Sequence, residues 1–298
     1  MIWLPATLLA ALFQAWRTAV QARVRKELSV NAAGLVRYLY GLPVAIALLG
    51  SYVSARGETL PTAPAQFFGW AALGGLLQLL ATNLLLMAFG YRNYVTGTAY
   101  AKTEAVQGAV FAMIILGEML SLVTWIGIAI GVLGVLILSA GGQRLRLSDI
   151  TQPAALCGLG AGALFALTSI FVKRATLSLG TEDLVLAALV SLVVVQAFQT
   201  VMQGGYLITR EPQELAKVFR SWRVSGQVGL LAALGSACWF TAFAMAPVAL
   251  VRAVGQTEVI FTLAFGHFYL REPLKRSEAA GLLLVGLGVI VALLGSFR

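Results

Sequence analysis

The sequence predicts an all-α polytopic membrane protein: ten transmembrane helices, arranged as two inverted five-helix repeats. Three observations predict it. Of 298 residues, 59% are hydrophobic and 11% charged, with a mean hydropathy of +0.88. That is more apolar sequence than a soluble globular core can use. The apolar residues gather into runs of about 20, the length that crosses a bilayer as helix. Scarce polar residues also recur in register. Thr103, Glu104 and Glu118 return as Thr257, Glu258 and Glu272, each 154 positions later, and Gly127 and Gly134 return as Gly281 and Gly288 at the same offset. A chance match between apolar stretches rarely keeps acidic residues in step, so the chain reads as a duplication.

The elements follow in order. Residues 2–20 form an apolar run with no basic residue ahead of it and a basic cluster behind it. This is the pattern of a retained span and not of a cleaved leader. Further spans are expected over 31–53, 67–89, 95–116 and 121–140, with Gly57, Pro61 and Pro64 punctuating the connection 56–64. Residues 141–152, carrying Gly141, Gly142, Arg144, Arg146 and Asp149, join the halves. The second half places spans over 153–172, 184–204, 225–245, 249–270 and 277–296. Its longest connection, 205–223, contains a segment at 212–221 that reads as a short interfacial helix. The repeats are thus 1–141 and 153–298. Their starts also match, Ala11-Leu12-Phe13 with Ala163-Leu164-Phe165 and Val20 with Val172, at an offset of 152. Five spans is an odd number, so the second copy must enter from the opposite face. This inverted repeat is the architecture in which transporters place substrate at the midplane.

The net charge is +9. The basic residues fall between apolar spans and not on a soluble face, which argues against nucleic acid as the partner and for anchoring at a lipid bilayer. Connections after the odd-numbered spans hold 13 Lys and Arg, against four on the other side (Arg56, Lys173, Arg174 and Arg298). The positive-inside bias makes the first set cytoplasmic and turns both termini outward. Cys157 and Cys238 lie within apolar runs as small core residues, with no disulfide framework.

The residues that cost most are the intramembrane charges, so they are the first candidates for function. Glu104 and Glu258 sit roughly 12–15 Å into spans four and nine at a rise of 1.5 Å per residue. Desolvation penalises a carboxylate's charged form, so either is a candidate proton or cation-substrate site, or else a structural ion pair at the pseudo-two-fold. Lys102, two residues from Glu104, points to another helix face; it meets a carboxylate on another span, an acidic group of a substrate, or snorkels to the cytoplasmic surface. Tyr100, Glu104, Gln107 and Phe111 follow 3–4 spacing and make one face, suited to a small amphipathic metabolite or to a packed seam. Arg37, beside Tyr38 and Tyr40, binds a carboxylate of substrate or pairs with Glu104 or Glu258. Arg252 and Gln256 share a face, with Arg252 close enough to a helix end to snorkel. Gln14, Trp16 and Arg17 form a cavity mouth or the interfacial belt, the latter favoured for Trp16 and Arg17. Trp239 reads as core, and Glu118 and Glu272 as hydrated helix ends.

Other motifs carry little chemistry. His267, the only histidine, has no acidic or thiol ligand at metal spacing, and no cofactor or metal is implied. Gly158, Gly160 and Gly162 lie inside an apolar span with no strand before them, so they are no dinucleotide loop. Gly127, Gly131 and Gly134, answered by Gly281, Val285 and Gly288, make small-residue stripes that pack spans five and ten, or a homodimer through them.

The residues quoted carry a resemblance. Ten spans in two five-helix halves, Gly117-Glu118 closing the fourth span, Ser121 to Trp125 with Gly127 and a glycine-spaced fifth span, and Leu35-Val36-Arg37 in span two resemble the EamA-type members of the drug/metabolite transporter superfamily. Lys102-Thr103-Glu104 resembles one bacterial branch of it. The resemblance implies a carrier in a bacterial inner membrane, with a central cavity lined by spans 1–4 and 6–9 and spans 5 and 10 as struts. It also implies cytoplasmic termini, the reverse of what the charge count says. The second half has Leu189 where a counterpart of Arg37 would fall.

The expected function is therefore secondary transport of a small amphipathic or zwitterionic metabolite, an amino acid or derivative, by alternating access. Proton coupling fits the buried acids, and the family resemblance favours export. A lipid or lipid-linked translocator is the alternative within this class. An intramembrane enzyme lacks any nucleophile–base or metal motif, and a non-transporting scaffold gains nothing from intramembrane charges.

Overall fold

The structure, a computed structural model, describes residues 2–25, 27–88, 100–140, 151–264 and 276–296. The beginning of span four, Arg92, most of the 141–152 connection, His267 and Glu272 lie outside the described residues. Among those described, all regular structure is helical. The helices are α1 (Trp3–Val24), α2 (Val30–Leu39), α3 (Gly41–Arg56), α4 (Ala65–Ala88), α5 (Glu104–Leu116), α6 (Leu122–Ala140), α7 (Pro153–Ser178), α8 (Leu184–Arg210), α9 (Pro212–Arg220), α10 (Trp222–Met245), α11 (Val248–Gly255), α12 (Glu258–Ala264) and α13 (Arg276–Ser296). Five stretches are long and apolar enough to cross a membrane: α2 with α3, α4, α7, α8 and α10; α5, Leu122–Leu138 and Ala280–Ser296 are shorter and apolar. Val201, Leu122 and Leu283 are each more than 70% exposed, as side chains against lipid are and side chains against water rarely are. The protein is a multi-pass membrane protein.

Several expected boundaries are corrected. Span two is two helices, because Pro43 offers no N–H to the Leu39 carbonyl and its ring crowds that turn. Spans four and nine are also broken, as described below. The expected 205–223 connection is almost wholly helix. α8 runs on to Arg210, and Pro212 starts α9 at the one helical position where a missing N–H costs nothing. The short helix expected at 212–221 is α9.

Two compact units divide the chain, each drawn from both halves of the sequence: residues 1–79 with 171–245, and residues 80–170 with 246–298. In the first unit α10 lies against α1, where Gly235 faces Phe13 and Ala10. It also lies against α3, where a Cβ on Gly229 would strike the Tyr40–Gly41 backbone. α8 adds a row of buried amides, Gln196, Gln199 and Gln203. Asp183 caps α8, accepting from the Val185 and Leu186 N–H groups at 2.9 and 3.0 Å and from the Tyr52 hydroxyl at 2.8 Å. Ser29 caps α2 and is tied to α9: its Oγ donates to Glu211 Oε2 at 2.5 Å and its N–H to Glu214 Oε2 at 2.7 Å.

In the second unit α6 and α13 form a seam of bare backbone. A Cβ on Gly127, Gly134 or Gly288 would run into the facing chain at Ala292, Val285 or Gly131 respectively. The glycine stripes singled out in spans five and ten therefore face each other within one chain. Close approach gains dispersion contacts where no hydrophobic effect operates between helices. Ser121 Oγ donates to the Gly295 carbonyl at 2.8 Å at one end of the seam, and Val135, Leu138 and Val285 close an apolar cluster along it.

Candidate functional site

The site lies in the second unit, at two interruptions of helix. Spans four and nine each break just before their glutamate. Lys102 and Thr103 form a turn ahead of α5, and Gln256 and Thr257 form one between α11 and α12. The two breaks are the same triplet position in the two repeats, Lys-Thr-Glu and Gln-Thr-Glu, 154 residues apart. Both are built from tight three-residue turns. The Thr103 N–H reaches the Tyr100 carbonyl at 3.2 Å, and the Thr257 N–H reaches the Val254 carbonyl at 3.0 Å. In the first break the Thr103 hydroxyl also donates to the Tyr100 carbonyl at 2.6 Å, and Gln107 Nε2 donates to that hydroxyl at 3.0 Å. Side chain thus replaces ladder, which is how Ser and Thr compete with a helix. The expected unbroken face from Tyr100 through Phe111 is interrupted at that turn.

The charges pair crosswise. Lys102 Nζ lies 2.8 Å from Glu258 Oε2, and Arg252 Nη1 lies 3.3 Å from Glu104 Oε1. Each repeat's acid is held by the other repeat's cation. Each glutamate also opens a half-helix, where the positive end of the peptide dipoles favours an anion. Arg252 does not snorkel. It is 8% exposed, its Nε donates to Ser169 Oγ at 2.9 Å, and its Nη2 donates to the Phe165 carbonyl at 3.0 Å. α7 approaches closely here: a Cβ on Gly162 would meet the Ala101 carbonyl, and Gly108 faces the Arg252 stem. The Lys102 and Glu104 side chains keep 22% and 17% of their surface accessible, so the pairs can be reached.

Three polar groups at the breaks are buried with no hydrogen-bond partner among the described residues: Gln107 Oε1, both side-chain atoms of Gln256, and Thr257 Oγ1. Gln256 fits only because Gly131 opposite has no side chain. Buried amides of this kind cost free energy until something binds them. Glu118, expected as a hydrated helix end, accepts from the Val248 N–H at 2.8 Å and so caps α11.

The remaining candidates lie in the first unit. Arg37 is 4% exposed, with its guanidinium 5.4 Å from the Tyr38 ring centre. Gln14 Oε1 accepts from Trp239 Nε1 at 3.1 Å, and Trp239 stacks on Phe243. Trp16 is half-exposed, whereas Arg17 is buried. The amide row of α8 was legible as Gln at i, i+3 and i+7 and was missed. Gln199 Nε2 donates to the Gly75 carbonyl and to Gln78, and Gln203 Nε2 donates to the Asn31 carbonyl.

Matched triplets at two helix breaks, 154 residues apart, mark corresponding positions in the two halves of the chain. The sequence model of the EamA-like transporter family matches residues 1–140 and 152–294, one copy in each half. The chain belongs to the EamA-like transporter family. Its members are membrane transporters of small molecules, not typically enzymes. A solved protein crystal structure superposes on this EamA-like chain with a TM-score of 0.72 at 17% identity, covering 98% of each chain. That likeness shows the fold alone.

Proposed function

We propose that this EamA-like protein is a secondary transporter of a small zwitterionic or amphipathic metabolite, an amino acid or derivative, working by alternating access across a bacterial inner membrane. The observation that carries the reading is the crossed pairing of Lys102 with Glu258 and Arg252 with Glu104 at two helix breaks. Two cations and two anions in a partly accessible setting match the charges of a zwitterion. Its carboxylate takes the place of a glutamate at Lys102 or Arg252, and its ammonium takes the place of the cation at the glutamate released. Gln107, Gln256 and Tyr100 supply neutral hydrogen bonds to the rest of the substrate. Arg37, Gln14 and Trp16, in the first unit, are proposed as further substrate-binding residues. The half-helix breaks fit the discontinuous helices that transporters use at such sites.

The ten-span count, the inverted relation of the halves, outward-facing termini, export and proton coupling belong to the same proposal. A homodimer through spans five and ten would have to use their outer faces, where Ile126, Leu133, Leu283 and Leu287 are exposed, because the glycine stripes already face each other within the chain.

The test is transport of a panel of amino acids in vesicles, with and without a pH gradient, by wild type, Glu104→Gln and Glu258→Gln. Saturable transport by wild type and loss of at least about tenfold in each variant is the expected result, from the cost of an unpaired intramembrane cation. Undiminished transport by both variants would sink the assignment of the site.

A further inference from the structure

The two helix breaks match in sequence but not in what their first residue does. Lys102 opens one triplet and reaches Glu258, in the other repeat, at 2.8 Å. Its counterpart 154 residues on is Gln256. The mirrored contact would run from Gln256 to Glu104. Arg252, one turn earlier, makes that contact instead, and makes it longer, at 3.3 Å. Gln256 meanwhile is 6% exposed, and neither polar atom of its side chain has a hydrogen-bond partner among the described residues. A buried amide left unmatched in this way costs free energy.

A recess made by one glycine holds it there. A Cβ on Gly131 of α6 would meet Gln256 Oε1 at 2.5 Å, then Cδ at 3.3 Å and Nε2 at 3.5 Å, ahead of any other atom. The first repeat has no glycine to make such a recess for Lys102. The residue of α13 that answers Gly131 is Val285, fully buried in an apolar cluster with Val135 and Leu138. The second break is also the less tied of the two. In the first, the Thr103 hydroxyl donates to the Tyr100 carbonyl and accepts from Gln107. In the second, Thr257 Oγ1 is buried with no partner among the described residues, and Phe261 stands where a counterpart of Gln107 would fall.

We infer that Gln256 is a two-position side chain and a positioning residue for Glu104. It lies against Gly131 while Arg252 holds that acid, and donates from Nε2 to Glu104 once Arg252 turns to the carboxylate of a substrate. The inference rests on the transport reading for the event that releases Glu104. A glutamate freed of its cation inside a membrane is costly. An amide N–H can meet it without adding charge, and the two carboxylate oxygens have room for both that N–H and the substrate's ammonium. The second hydrogen on Nε2 stays available to the substrate. The move exchanges an unmatched amide for a hydrogen bond to an anion, which is the stronger kind.

Thermal unfolding of the full chain in detergent tests this with no substrate present, so its failure would leave the transport reading standing, and a failure of transport would leave its result intact. Arg252→Met frees Glu104 permanently. Gln256→Met, which keeps the side chain's length and removes the amide, is expected to melt no lower than wild type when made alone. Made in the Arg252→Met protein, the same change is expected to lower the melting temperature by about 3 °C, the order of one hydrogen bond in a chain of this size. Arg252→Met with Gln256→Lys moves the cation to the place Lys102 holds in the first triplet, and is expected to recover most of what Arg252→Met loses. That double variant decides alone should Arg252→Met not fold. An equal effect of Gln256→Met in both backgrounds overturns the inference. So does a double variant with Gln256→Lys that is no more stable than Arg252→Met.

Discussion

An ion pair in a membrane stands or falls with both partners. Taking Lys102 and Glu258 out of water is costly, and their 2.8 Å contact returns that cost only while both are charged. Glu258→Gln leaves an ammonium without its anion and is expected to lower stability by about 3 kcal/mol. Lys102→Met with Glu258→Gln removes both charges and is expected to recover most of that loss while transport stays low. Thermal unfolding in detergent across the double-mutant cycle, run beside a transport assay, checks both. Full recovery of transport by the double variant would make the pair structural only. At this scale the sequence was half legible. Intramembrane Lys102, Glu104 and Glu258 announced themselves by their cost. The crossing did not, because pairing depends on which face each broken span presents. Arg252 lay close enough to a helix end that snorkelling looked cheaper than burial, and Ser169 and the Phe165 carbonyl, 83 and 87 residues away, reversed that balance.

Helix ends and helix seams show what single positions do for whole elements. The α6–α13 seam is bare backbone, so any side chain on its axis is too large. Gly288→Leu is expected to cost about 3 kcal/mol by overpacking, whereas Gly286→Leu, two residues away with nothing within 4 Å, should unfold like wild type. Equal melting of the two variants would refute the seam. Asp183 sets the start of α8. Burial raises its carboxyl, but the Leu186 N–H, Tyr52 hydroxyl, Val185 N–H and nearby Arg56 outweigh that and leave it below its ordinary value. A folded-state value below the unfolded one means the contribution is complete above about pH 4, the unfolded value, and fades as pH falls through the lowered one. Asp183→Ala should therefore lose about 1 kcal/mol near neutrality, and its gap from wild type should narrow below about pH 4. Melting temperatures of both proteins across pH 3–7 test this, and a gap independent of pH would remove the charge from the account. The glycine stripes and the α9 helix could be read from spacing. The broken spans could not, because no proline marks either break, and only side-chain hydrogen bonds and tight turns show where the ladder stops.

For the molecule as a whole, composition alone was enough to establish a helical multi-pass protein, and the register of Glu104 with Glu258 carried the duplication. What composition could not show is that each compact unit mixes residues from both halves, since contact between distant spans leaves no trace in local pattern. Sidedness rests on where Lys and Arg fall. With Cys157 and Cys238 replaced, Glu58→Cys is expected to react with an impermeant maleimide added outside intact cells. Leu145→Cys is expected to react only after permeabilisation. The opposite pattern would place the termini inside.

The crossed pairs have an electrical consequence. Lys102 and Arg252 cancel Glu104 and Glu258, and a zwitterion adds nothing to that total. A fully paired constellation carrying such a cargo moves no net charge through the field, while each uncompensated charge would feel about 2.3 kcal/mol per 100 mV. Cycling with a zwitterion alone should therefore ignore an imposed voltage, whereas co-transport of one proton should make it voltage-driven. Flux measured in proteoliposomes clamped at two potassium diffusion potentials separates the two, and with them decides whether this carrier spends the membrane potential at all.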